Sequence, residues 1–361
     1  MSKTKSISMA VAVASLAGFL FGFDTIVISG ANLPIKELWN HSPAFHGLFI
    51  MSMALWGTVL GAATAAWPSN KFGRKKVMLW IGVLFSLSAL GSALAQDPYS
   101  FSFFRFIGGV GVGASSVVVP AYLAEISSKN KRGFIVATYQ FMLVLGILIA
   151  FISNYLLDGV GGETDWRWMM GVETIPAVAF SLLVLVIPES PRWLRMKGNI
   201  AIAKEIENNF GLEAISEEEG GAEEPTKLNG SGVLSALKWP IAMAFLIAFF
   251  NQFSGINFVL YYAPEILENA GVGQKDSLAN SILIGVVNLL VTIVAMVLLD
   301  RTGRKRLMLI GSLGYISSLV LVALTFQMGW DNQWMLFGMT ARQRSSAASI
   351  FWSTMPAFSM S

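Results

Sequence analysis

The chain has 361 residues, 54% hydrophobic and only 13% charged, with a formal net charge of +3. Soluble domains carry roughly 25% charged residues, so this is the composition of a polytopic membrane protein, and nucleic-acid binding is not suggested. Cysteine is absent, which excludes disulfides, thiol catalysis and thiolate metal sites. The two histidines, His41 and His46, fall beside an expected outer loop, a poor basis for a catalytic metal site. Nine apolar segments of bilayer length follow along the chain, near 8–30, 45–67, 77–96, 100–124, 134–157, 167–188, 239–263, 279–299 and 307–328. The first is full bilayer length and lacks a small-residue cleavage site, so no cleavable signal peptide is expected. Residues 189–238 are polar and carry an acidic run at Glu217, Glu218, Glu219, Glu223 and Glu224, which reads as a solvated loop. Within this stretch, residues 201–210 read as a short amphipathic helix.

Basic residues set the orientation. With the N-terminus placed in the cytoplasm and the segments alternating, 19 of the 25 Lys and Arg residues fall on the inner side. The outer loops receive three, Lys36, Arg167 and Lys275, as the positive-inside rule requires. Arg105 is the exception, a charge inside a segment of hydrocarbon length, which needs a partner or a wet cavity. Gly108, Gly109, Gly111, Gly113 and Ala114 follow it and permit a neighbouring helix to approach closely. A phosphate-binding loop is a weak reading of GGVGVG, because no strand precedes it. Asp24 is the matching anomaly in the first segment. With the segment bounds above, a rise of about 1.5 Å per residue puts both charges about 7–9 Å below the outer surface, so an ion pair is expected.

An internal repeat links the halves. NKFGRKK at 70–76 and DRTGRKR at 300–306 sit in equivalent inner turns, 230 residues apart. Two such copies mark a transporter class built from parallel repeats. Gly73 and Gly303 permit the turn, and the flanking cations can pair with Glu125.

With GFLFGFDTIVISG (18–30), RFIGGVGVG through VPAYLAEISSKNKRG (105–133), PESPRWL (188–194) and NQFSGINFVLYYAPEI (251–266), these motifs make the chain resemble the sugar porters of the major facilitator superfamily. The resemblance implies an all-α membrane protein with about nine of the family's twelve helices. Residues 1–188 would form a six-helix bundle, 189–238 an inner linker with short helices, and 239–328 a partial three-helix bundle. Residues 329–361 show neither the family's tenth-helix pattern nor its terminal PETKG-like signature. They read as an atypical tail, left by a truncation or a shifted frame.

The resemblance also implies roles. An acid matching Asp24 beside an arginine matching Arg105 goes with proton symport. Sugars present hydroxyls and an apolar ring face, which amides serve as both donor and acceptor. Gln140, Gln252, Asn257 and Asn288 match sugar-contacting positions, Asn251 stands where glutamine is usual, and Phe21 matches an aromatic over the sugar ring. Gln252 and Asn257 are about 140° apart on an ideal helix, so both can face one cavity only if the helix breaks near Ser254–Gly255. Tyr261 and Tyr262 resemble the outer gate. Glu125, Arg74, Arg132, Glu189, Arg192, Asp300 and Arg304 match an inter-bundle charge network that would hold the inner side shut.

The expected function is a secondary active transporter of a monosaccharide by alternating access, coupled to protons, in the plasma membrane with a cytoplasmic N-terminus. Its partners are the sugar, protons and the lipid bilayer, with no cofactor or metal. The alternative is a non-transporting remnant or a sugar-binding, sensing protein. An enzyme lacks support, since no nucleophile, base or nucleotide loop converges. Asn40-His41-Ser42 forms a glycosylation sequon.

Overall fold

The computed structural model describes residues 3–128, 130–212, 230–253, 255–269 and 272–302, with 306, 309–314, 316, 317 and 320 beyond them. The described residues are helical. The first is α1, Lys3–Trp39. A proline-led turn, Pro43–Phe45, and a wide π turn, His46–Met51, lead into α2, Met53–Thr64, and α3, Ala66–Phe72. Then come α4 (Arg74–Leu94), α5 (Pro98–Glu125), α6 (Arg132–Leu157), α7 (Asp165–Gly171) and α8 (Thr174–Val184). Two short helices follow, α9 (Pro191–Met196) and α10 (Ile200–Phe210). The second half supplies α11 (Gly230–Phe253), α12 (Ile256–Tyr261), α13 (Ala263–Asn269) and α14 (Gln274–Thr302).

Seven stretches among the described residues are long and apolar enough to cross a membrane: Ile7–Trp39, Pro43–Thr64, Arg74–Leu94, Pro98–Glu125, Arg132–Leu157, Gly162–Val184 and Gln274–Leu298. They coincide with the first six expected segments and the eighth. The ninth and the tail lie largely or wholly outside the described residues. One expectation needs correction: the first helix runs nine residues past the expected end, because Asn32, Lys36 and Glu37 are polar but helical. In the seventh segment the expected break falls at Gly255, and a second, unexpected one at Tyr262.

Local chemistry explains the helix ends. The Asp97 carboxylate accepts the Tyr99 and Ser100 amides at 2.9 Å each, and Pro98 follows at the first helical position. At α9 the Ser190 hydroxyl accepts the Trp193 amide ahead of Pro191. The predicted amphipathic helix is α10, which buries Ala203, Glu207 and Phe210 and is tied to α9 by a two-pronged Arg195–Glu207 pair at 2.6 and 2.7 Å.

Around α1 and α5 the other helices of the first half are arranged. α1 packs along α6, and α5 is held between α2 and α4. Small residues set these distances. A Cβ on Gly109 or Gly113 would run into the α2 backbone at Ala54 and Thr58, and one on Gly22 or Gly146 would run into the backbone of the facing helix. Lipid supplies no hydrophobic drive between helices, so this close van der Waals contact is what joins them. The second half docks through α14 on α6 and through α12 and α13 on α1. At the C-terminal end of α1, Trp39, Phe101 and Trp166 pack edge to face, with centroids 5.6–6.0 Å apart.

Candidate functional site

Asp24 and Arg105 meet in the centre of the first half. Arg105 Nη1 donates to Asp24 Oδ1 at 2.7 Å and Nη2 to the Asp24 backbone carbonyl at 3.0 Å. Both side chains are 1% exposed. Gly108, one turn after Arg105, leaves the space that Asp24 and Ser88 occupy. The equal-depth argument needs correction, although the two residues do meet. Asp24 lies 15 residues from the end of α1, about 22 Å, and Arg105 seven from the start of α5, about 10 Å. The helix ends are not level, because α1 continues past its neighbours.

A third charge completes the cluster. Glu173, between α7 and α8, is fully buried and lies within hydrogen-bonding reach of Asp24, with Arg105 close by. Asp24 Oδ2, both Glu173 oxygens and Arg105 Nε have no hydrogen-bond partner. Two ionised carboxylates are acceptors only, and with one guanidinium they leave a net charge of −1 in a dry place. One proton neutralises the cluster and supplies the missing donor between the acids. Sequence reading missed Glu173, although a lone acid in the sixth apolar segment is a functional signal by the criterion that singled out Arg105.

The amides lie in the second half and on α6. Helix α11 ends at Phe253, Gly255 takes a left-handed φ of +78°, and α12 starts at Ile256. This break brings the two amides together, and Asn257 Nδ2 donates to Gln252 Oε1 at 2.8 Å. Asn288 on α14 is fully buried with neither amide atom partnered, near the face packed on α6. Phe21 and Gln140 are half-buried on α1 and α6. The Asn251 side chain lies outside the described residues. Tyr261 is buried near Asp24 and Arg105, and Tyr262 is half-buried. A cavity of about 850 Å³ opens at the N-terminal ends of α1 and α6, but none of these residues lines it.

At the start of α4, Arg74 makes a two-pronged pair with Glu125, both bonds 2.9 Å. Glu125 also accepts the Ser190 hydroxyl at 2.6 Å. The Glu189 carboxylate caps α4 by accepting the Arg74 and Lys75 amides at 2.9 and 3.1 Å, where the helix dipole favours an anion. Among the described residues, the bonds of this network join the first half to Glu189 and Ser190 at the start of the linker. Arg132 and Arg192 are exposed and outside the cluster, since the carboxylates are committed to Arg74, Ser190 and the α4 amides. The Asp300 side chain and Arg304 lie outside the described residues.

The family model described as "Sugar (and other) transporter" matches residues 10–358. The chain belongs to this sugar transporter family. The match includes most of the tail that the motifs set apart. Among the relatives, the arabinose-proton symporter of Bacillus subtilis is 36% identical over 324 residues, 87% of this chain and 70% of its own length. The D-xylose-proton symporter of Escherichia coli is 35% identical, over 84% of this chain and 68% of its own. The structure of the xylose transporter XylE from E. coli in a partially occluded inward-open conformation superposes with a TM-score of 0.81 at 30% identity, covering 99% of this chain and 85% of XylE. A second XylE structure, bound to 6-bromo-6-deoxy-D-glucose, gives a TM-score of 0.82.

Proposed function

We propose that this sugar transporter moves a monosaccharide by alternating access in symport with a proton, and that Asp24, Arg105 and Glu173 carry the proton. The observation that supports this most is the cluster itself, two buried acids and one buried cation with unpaired oxygens on both acids. Such a group is electroneutral only with one proton bound, so its occupancy responds to any change in access to water. The membrane-facing composition and the proton symporters among its relatives support the same reading. The sugar would rest against Gln140, Gln252, Asn257 and Asn288, with Asn251 beside them and Phe21 under the ring. Tyr261 and Tyr262 would close the outer side, and the Arg74–Glu125–Glu189 cluster would stiffen the inner end of the first half. We place the chain in the plasma membrane with a cytoplasmic N-terminus, on the distribution of its basic residues.

The test is transport in vesicles. Asp24→Asn is expected to abolish accumulation against a gradient while sparing exchange of labelled hexose. Undiminished uphill accumulation in that variant overturns the proton role. A chain that binds sugar, as read from thermal stabilisation, but shows no exchange would instead be a binding protein.

A further inference from the structure

A second polar chain crosses between the halves nearer the outer surface. His46 Nε2 lies 2.7 Å from Asn32 Oδ1, Asn32 Nδ2 donates to Glu265 Oε2 at 2.6 Å, and Lys36 Nζ donates to Glu265 Oε1 at 2.7 Å. Asn32 and Lys36 are on α1, His46 opens the π turn, and Glu265 is on α13. Asn32 and His46 are 1% and 5% exposed. Lys36 is the wet end, its side chain 42% exposed.

The assignment of donors follows from the carboxylate. Glu265 accepts, so the Asn32 NH₂ faces it and the Asn32 carbonyl faces His46. His46 Nε2 must then carry a proton. The ring thereby holds the amide in the one orientation that offers a donor to Glu265; a flipped amide would set oxygen against oxygen. The π turn holds the ring there, and it is itself anchored by the Ser102 hydroxyl on the Phe49 carbonyl at 2.6 Å. π turns recur at functional sites.

What is held is a short piece set off from its neighbours. α12 and α13 together run from the left-handed Gly255 to the end of α13, with a non-helical residue, Tyr262, between them. Tyr261, next to that joint, is buried in the neighbourhood of the charge cluster.

We propose that Asn32, Glu265 and Lys36 form an outer latch that keeps α13 on α1, with His46 the positioning residue that orients Asn32. Opening the outer side breaks the Asn32–Glu265 bond and swings α13 away. This rests on the alternating-access reading above, and its test does not depend on transport.

The chain has no cysteine, so a single thiol can report opening. Ser29 is buried on α1 one turn below Asn32, and its hydroxyl has no partner, which makes Ser29→Cys a mild probe. The full chain is reconstituted in vesicles, and the rate of labelling by a membrane-impermeant thiol reagent from the outer side is measured. Asn32→Leu and His46→Ala are each expected to raise the rate about tenfold, the scale of one hydrogen bond to a charged group. His46→Gln, whose amide N–H can reach the same oxygen, is expected to restore the slow rate. Lys36→Met, at the exposed rim, should change it by less than about threefold.

Unchanged labelling in both Asn32→Leu and His46→Ala overturns the latch. Labelling in His46→Gln as fast as in His46→Ala overturns the positioning role. If Asn32→Leu fails to elute as a single species, His46→Ala and its glutamine rescue decide the matter. Loss of sugar exchange with the labelling pattern intact would count against the transport reading and not against the latch.

Discussion

The charge cluster makes an unequal prediction for its members. In Asp24→Asn the Arg105 bond to the backbone carbonyl at 3.0 Å is untouched, and the asparagine oxygen can still accept from Nη1. Glu173 is then the counter-charge for Arg105, so the cluster stays neutral with no added proton. The loss is one charge-assisted bond turned neutral, about 1–2 kcal/mol. In Arg105→Leu both acids are stranded in a dry site and the backbone bond is lost as well. Removing one partner of a buried pair costs about 3–5 kcal/mol. The gap of about 2–3 kcal/mol corresponds to a thermal midpoint difference on the order of 3–4 °C for a chain of this length. The double variant Asp24→Asn with Glu173→Gln strands Arg105 and should fall with Arg105→Leu, well beyond the sum of its singles. The assay is thermal unfolding of purified protein at one detergent concentration and one heating rate, because membrane proteins unfold irreversibly. An Asp24→Asn protein as unstable as Arg105→Leu, or an additive double variant, would refute the assignment of Glu173 as the second counter-charge.

Gly113→Val sets a branched side chain against the Thr58 carbonyl of α2; overpacking of this kind costs about 1–3 kcal/mol or more, and the yield of monodisperse protein should drop while Val117→Ala, at a more exposed position on α5, leaves it unchanged. Gly255→Ala strains a residue at φ +78° by about 1–2 kcal/mol and tends to straighten the break, so hexose-dependent thermal stabilisation should weaken as Gln252 and Asn257 separate. Outside the membrane spans, the Ser100 backbone amide, followed by its side chain, holds the exposed Asp97 carboxyl below the usual carboxylate range. Its capping contribution is therefore complete above the unfolded pKa and is lost as pH falls through the lower folded value. Wild type and Asp97→Ala should differ in thermal midpoint at neutral pH and converge in strong acid, and a difference that persists there would contradict the capping argument.

The order of the first six spans and the eighth was legible because each must satisfy its backbone within the lipid, which leaves a long apolar run as its trace. Helix ends were less so. α1 carries Asn32 and Lys36 past the expected stop because those polar groups bond to His46 and to Glu265, the latter far away in sequence. The break at Gly255 could be read because two amides 140° apart demanded it. Asp24 and Arg105 stood out as charges in apolar runs. Glu173 and His46 gave the same kind of signal but went unused, since one sits near a segment start and the other was assigned to a loop. The inner network shows the limit of motif reading. Glu125 and Arg74 do pair, but the second-half members of the expected network, Asp300 and Arg304, fall outside the described side chains.

The proposed sugar amides and the proposed proton cluster are joined by very little structure. α12 has six residues, with Asn257 near one end and Tyr261 at the other. Four residues of helix span about 6 Å, so the amide that pairs with Gln252 and the ring buried near Asp24 and Arg105 belong to one rigid turn. Coupling between sites needs a two-state element that both sites bias, and this turn is bounded by a left-handed glycine on one side and a non-helical tyrosine on the other. On the proposed function, a sugar that competes for the Gln252–Asn257 hydrogen bond would pull on the same turn that carries Tyr261. Displacing Tyr261 would admit water to Asp24 and Glu173, which could then carry the net charge of −1 left when their shared proton departs. Proton release would thus depend on where α12 sits, and α12 on the sugar, with no longer pathway required.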